Sequence, residues 1–195
     1  MDFLLFTVSW MSFNIILATI PVFVGLLFLK IKNNFARWIL GLVWLVFLPN
    51  TIYLLTDPFH FFDDFKKTQV LISFMTIPLY ILLILCGVLT FVFSLYPLDQ
   101  ILKHKKNPNR RILVIFFINL LVGIGLTLGR VERINSWELV TNIPKTIHAI
   151  VAIGLSTQLL VTTCLFMLTA NLLYFSVENT KMLKTTYRKL VSAFI

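Results

Sequence analysis

Long apolar stretches separated by short polar connections dominate the chain. Five of them approach or exceed the ~20 residues that a helix needs to cross the hydrocarbon core of a bilayer: Phe6–Leu29, Ala36–Leu55, Val70–Tyr96, Ile112–Gly129 and Ile147–Val177. The last is long enough to tilt or to run on past the membrane. The connections contain no Ser/Gly linker, low-complexity tract or internal repeat, so the pattern predicts one all-α transmembrane domain over residues 1–195, a polytopic helical bundle.

Composition excludes the alternatives. At 58% hydrophobic and 13% charged residues, with a mean hydropathy of +0.91, a water-soluble globule of 195 residues has too little interior to hide its apolar side chains. A bilayer accepts them on the protein's outer surface as well. The net charge of +9 does not point to nucleic acid, because the basic residues form short clusters beside the spans. That is the signature of cytoplasmic loops.

Counting charges on alternate sides of five spans puts twelve basic residues on one side, in three clusters: Lys30, Lys32 and Arg37; Lys103, Lys105, Lys106, Arg110 and Arg111; Lys181, Lys184, Arg188 and Lys189. Only two acids, Asp99 and Glu178, share that side. The other side carries five basic and six acidic residues. The expected topology therefore has the N-terminus outside and the C-terminus in the cytoplasm, in the cell (plasma) membrane. The N-terminal segment lacks a basic n-region and a small-residue cleavage site, so its apolar stretch is expected to be a retained span. Cys86 and Cys164 both lie in apolar segments and read as packing residues.

Pro21, Pro49 and Pro78 predict kinks, each freeing the carbonyl four residues earlier, at Leu17, Leu45 and Phe74. Gly125 and Gly129, with Gly123 nearby, allow close approach of another helix. That helix belongs either to this chain or to a partner copy or complex subunit. Asn14, Asn119, Gln158 and Asn171 are uncharged amides expected to bond helix to helix. No ionisable residue falls near a span's midplane, which argues against a proton relay built on buried carboxylates.

Two polar stretches are assigned to the same membrane face. One runs from Leu48 to His60 and includes Pro49, Asn50, Tyr53, Thr56, Asp57 and His60; the other runs from Leu128 to Glu138 and includes Arg130, Arg133, Asn135, Ser136, Trp137 and Glu138. Asp57, His60 and Asp63 or Asp64, completed by Glu138 or His148, have the side chains of a metal site, but their spacing matches no metal signature, and Asp57 capping a short helix that begins at Pro58 is preferred. No metal or cofactor is therefore assigned. Arg130 and Arg133, three apart, would share a face of a continuing helix and could clamp a phosphate or carboxylate. Equally, they could snorkel to the headgroups or pair with Asp57. Asn135 with Glu138 has the form of a capping box, and Trp137 fits an aromatic belt. Walker-type, H-E-x-x-H, G-x-S-x-G and Cys-x-x-Cys motifs do not occur.

At these two stretches the chain resembles a family of bacterial integral membrane proteins catalogued as domain of unknown function 1361. The resemblance is carried by Pro49, Asn50, Tyr53, Thr56, Asp57 and His60, then by Gly129, Arg130, Arg133, Asn135, Ser136 and Trp137, with Glu138 where the family has Asp. Asn14 and Pro21 are similar too. After His60 the chain departs from the family's Trp-Tyr-Asp, reading Phe61-Phe62-Asp63-Asp64. The resemblance implies a membrane protein and a set of positions, without a mechanism. The leading expectation is an outward-facing site for an anionic ligand or lipid headgroup, formed by Asn50, Tyr53, Asp57, His60, Arg130, Arg133, Asn135, Ser136, Trp137 and Glu138, with membrane lipids as partners. The alternatives are a membrane-embedded, metal-assisted enzyme on a lipid-linked substrate, and a structural subunit of a membrane complex.

Overall fold

A computed structural model of the chain describes residues 2–56, 70–104 and 107–194. Without water to satisfy it, backbone crossing a membrane must bond to itself, and the described residues form helices: α1 (Asp2–Lys30), α2 (Asn34–Phe47), α3 (Pro49–Thr56), α4 (Val70–His104), α5 (Pro108–Arg130), α6 (Glu138–Thr141), α7 (Ile143–Leu155), α8 (Thr157–Val177) and α9 (Lys181–Phe194). Five stretches among them are long and apolar enough to cross a membrane: Val8–Lys30, Asn34–Thr56, Thr76–Lys103, Pro108–Arg130 and Thr157–Val177. The protein is an all-α, multi-pass membrane protein.

Side-chain caps set where several helices start. The Asn33 carboxamide oxygen accepts from the Phe35 N–H at 2.9 Å and the Ala36 N–H at 3.3 Å. Asn107 accepts from the Arg110 N–H at 3.1 Å, with Pro108 at the first helical position, where no N–H is missed. The second span is divided at its proline: the Leu48 N–H still bonds to the Trp44 carbonyl, whereas Pro49 has no N–H to give Leu45, and α3 starts there. Thr51 ties the junction, its hydroxyl donating to the Leu48 carbonyl at 2.7 Å. Pro21 and Pro78 lie within α1 and α4, as does Pro97.

The expected last span, Ile147–Val177, is two helices. Ser156 has extended backbone (φ −99°, ψ 117°), and its hydroxyl accepts from the Leu159 N–H, so it caps α8 instead of continuing α7. Hydropathy runs unbroken through this point, while a serine that bonds to the backbone ahead of it favours a helix start. With thirteen residues, α7 is about 20 Å long at 1.5 Å per residue, too short for a ~30 Å core. It packs Ala149 and Ile153 on Leu128 and Ile134 beside the end of α5.

The main core joins α1, through Leu26, with α2, α3, α4, α5, α8 and α9 around Leu48, Ile52, Phe91, Leu95, Val122, Leu126 and Tyr174. A second cluster, with Met11, Ala18, Leu54, Tyr80 and Leu83, fastens α1 to α3 and α4. Buried amides lock α5 to α8: Asn119 Nδ2 donates to Asn171 Oδ1 at 3.0 Å, and the Thr127 and Thr163 hydroxyls lie 2.8 Å apart. Gln158 is exposed and takes no part. The Leu183–Tyr187 edge of α9 is buried, with Tyr187 against the ring of Tyr96.

Candidate functional site

The C-terminal ends of α3 and α5 meet. Arg130, the last residue of α5, lays its guanidinium on the Tyr53 ring, 4.9 Å from the centroid. It donates to the Tyr53 hydroxyl at 3.2 Å and to the Thr56 carbonyl. A cation at the carbonyl end of two helices is favoured by both dipoles. The family-like positions Tyr53, Thr56 and Arg130, more than seventy residues apart, thus form one contact.

Beyond Arg130 the helix stops. Arg133 has φ 53°, the left-handed region that costs a side chain about 1–2 kcal/mol, and the turn it makes lets the Ile134 N–H reach the Leu128 carbonyl at 2.9 Å. The arrangement in which Arg130 and Arg133 share a helical face does not form. Arg130 is held against α3, and Arg133 is exposed, without a hydrogen bond or ion pair among the described residues.

The turn folds the 134–137 segment back over α3 and α1. Asn50 Nδ2 donates to Ser136 Oγ at 2.8 Å, and Trp137 meets Phe13 edge-on with ring centroids 6.4 Å apart. Underneath lies a cavity of about 290 Å³, lined by Trp10, Phe13, Asn14 and Leu17 of α1, Pro49, Asn50 and Tyr53 of α3, Gly125, Leu128 and Gly129 of α5, and Ile134, Asn135, Ser136 and Trp137. Asn14 Nδ2 is buried here without a hydrogen-bond partner in the protein.

The glycines shape this space. A methyl group on Gly125 would collide with Pro49, and one on Gly123 would come within 2.7 Å of the Thr163 carbonyl and 3.1 Å of the Met167 N. Both close approaches are therefore made within the chain, to α3 and α8. A methyl group on Gly129 would stand 3.8 Å from the Tyr53 ring, an ordinary contact.

Glu138 stands apart from the cavity. Its carboxylate accepts from the Asn135 N–H at 2.7 Å and from Asn135 Nδ2 at 3.1 Å, and pairs with Lys145 at 3.0 Å. This is half of the expected capping box: the glutamate reaches back to the backbone, but the Asn135 side chain donates to it instead of capping the helix. The Asn135 backbone N–H above all, and then Lys145, hold the Glu138 pKa below its ordinary value.

Of the residues singled out in the sequence, Asn50, Tyr53, Asn135, Ser136 and Trp137 line the cavity. Arg130 braces it through Tyr53. Asp57, His60, Asp63 and Asp64 lie outside the described residues. Among the described residues no three His, Cys, Asp or Glu side chains are grouped to hold a metal ion, and His148 is exposed.

At the opposite end sits a charged cluster that motif reading passed over. Asp99 of α4 is fully buried and Glu178, which follows α8, nearly so. Arg111 of α5 bonds to both carboxylates, and Lys103 lies 2.7 Å from Asp99 and 3.5 Å from Glu178. The cluster ties the ends of α4, α5 and α8 together. Its signal lay in the charge count, since these are the two acids on the side of twelve bases.

No curated protein and no solved structure matches the chain. The family described as "Protein of unknown function (DUF1361)" matches residues 13–173, a stretch that includes Asn14, the α3–α5 contact and the 134–137 segment. The chain belongs to that family.

Proposed function

We propose that the protein binds the polar head of a lipid or lipid-linked molecule in the cavity between α1, α3 and α5, on the outer face of the plasma membrane, with its basic end in the cytoplasm. One observation carries this reading: Asn14, Asn50, Asn135 and Ser136 converge on a single cavity walled by Trp10, Phe13 and Trp137, and one of their amide groups is buried unpaired. A buried donor left unpaired costs about 1–3 kcal/mol, which an oxygen-rich headgroup would relieve. Aromatic walls and convergent uncharged donors suit a polar group carried on an apolar stem. The exposed guanidinium of Arg133 next to Ile134 supplies attraction for a phosphate or carboxylate on the same molecule. The orientation follows from the excess of Lys and Arg at the other end.

The test is native mass spectrometry of the full chain purified in mild detergent, with lipid analysis of wild type, Asn14→Leu and Asn50→Ala. A lipid retained by wild type and lost from both variants, each keeping its helical circular dichroism, is the expected outcome. Retention of the same lipid by both variants would overturn the reading. In a cysteine-free background, a cysteine at Asn142 should react with an impermeant thiol reagent on intact cells while one at Lys184 is spared; the reverse pattern inverts the topology.

A further inference from the structure

A larger cleft lies at the other end of the bundle. It encloses about 590 Å³ between α2, α4 and α5, with Trp44, Ser94, Pro97 and Ile118 among its walls. The Trp44 indole N–H donates to the Ser94 carbonyl at 3.1 Å, which fixes that ring as part of the wall. Gly41 leaves the cleft open: a Cβ there would meet nothing within 4 Å.

The lining is mostly apolar; Arg37 is its one charged residue, with Asn34 and Ser94 the uncharged polar ones. This guanidinium is half-buried and stacks on the Phe28 ring, 4.6 Å from its centroid. It has no carboxylate partner among the described residues. Arg37 belongs to the first turn of α2, where the helix dipole is positive, so it is not there to neutralise the helix end. Lys32 is exposed close by in sequence, and Trp38 stands three-quarters exposed beside it, as side chains of the interfacial layer do.

We propose that this cleft is a binding site for an anionic glycerophospholipid, with one acyl chain between α2, α4 and α5 and the phosphate on Arg37. The two halves of the site match the two halves of that molecule: an apolar slot open to the bilayer, and at its polar end a cation with no carboxylate partner among the described residues. A slot of this volume falls in the range of small-molecule sites. The charge singles out an anionic lipid over a zwitterionic one, because a zwitterionic headgroup brings its own cation to the phosphate. The inference is independent of the cavity at the opposite end, whose residues it does not use.

The experiment titrates the purified full chain with phosphatidylglycerol or phosphatidylcholine and counts bound lipids by native mass spectrometry. Wild type is expected to bind one phosphatidylglycerol about tenfold more tightly than phosphatidylcholine, the size of one charge-assisted contact. Arg37→Gln should bring the two lipids to parity, and Gly41→Leu, which fills the slot, should weaken both. With Trp44 as the sole tryptophan, phosphatidylglycerol brominated on its acyl chains should quench the fluorescence of the Arg37 protein at lower mole fraction than that of Arg37→Gln. Gln158→Ala, exposed on α8 and in neither lining, should change none of these readings. The proposal is overturned if Arg37→Gln keeps the preference, if Gly41→Leu binds as wild type does, or if the species that disappears in Gly41→Leu is a protein dimer free of lipid.

Discussion

Pro49 packs directly on Gly125, so that α3 begins where α5 has no side chain. A Cβ at residue 125 would overlap the proline ring and stand 2.9 Å from Pro49 Cβ. The second span loses a backbone bond at Pro49, and the proline ring is received by a helix smooth enough at Gly125 to take it.

Gly125→Ala is therefore expected to lower stability by about 1–3 kcal/mol, the usual cost of overpacking. Gly129→Ala, whose nearest neighbour is 3.8 Å away, should be close to neutral. Thermal melts in one detergent, followed by helical circular dichroism, compare the two. Equal midpoints for both variants would show that the α3–α5 approach is loose.

The Asp99, Lys103, Arg111 and Glu178 cluster yields a second expectation. Arg111 touches both carboxylates, and Asp99 has no exposed surface. Removing one partner of a buried pair leaves a charge unmatched, at a cost of about 3–5 kcal/mol. Asp99→Ala and Arg111→Ala should each destabilise to that degree, whereas Asp99→Leu combined with Arg111→Leu should cost less than the two single leucine changes added together. A double-mutant cycle on the melting data measures the difference, and strict additivity would mean that the pair is not coupled.

The spans were legible because burial in lipid demands long apolar runs, and hydropathy reads those directly. The meeting of the two polar stretches was legible for a related reason, as Tyr53 and Arg130 both lie at the end of a span. Four features were not. The break at Ser156 depends on one hydroxyl bonding to the Leu159 N–H, a local competition that no average over hydropathy registers. The left-handed backbone of Arg133 removed the three-residue helical spacing with Arg130, and nothing in an arginine announces φ 53°. The burial of Asp99 and Glu178 comes from packing of α4, α5 and α8, whereas a side-by-side charge count treats every charge as solvated. The partnership of Asn119 with Asn171 was foreseen as a class of contact; the register of α5 on α8 that selects those two and leaves Gln158 exposed was not.

Glu138 offers a pH-dependent expectation. Its pKa is lowered, first by the Asn135 backbone N–H and then by Lys145, so its ionised form is preferred when the segment is folded. A group with a lowered folded pKa supports the structure above its unfolded pKa and ceases to do so as pH falls through the folded one. The Asn135–Glu138 turn should therefore hold from neutral pH down to the ordinary glutamate value near 4.5 and loosen below it. Trp137 is adjacent to Glu138 and contacts Phe13, so its fluorescence, read in a chain with Trp137 as the sole tryptophan, reports the turn. The emission should shift on acidification through that window, and Glu138→Gln should abolish the shift by removing the titrating group. Glu138 is only partly buried and lies at the surface turn, so global stability should move little while the local signal changes. A shift that persists in Glu138→Gln would assign the acid transition to another group.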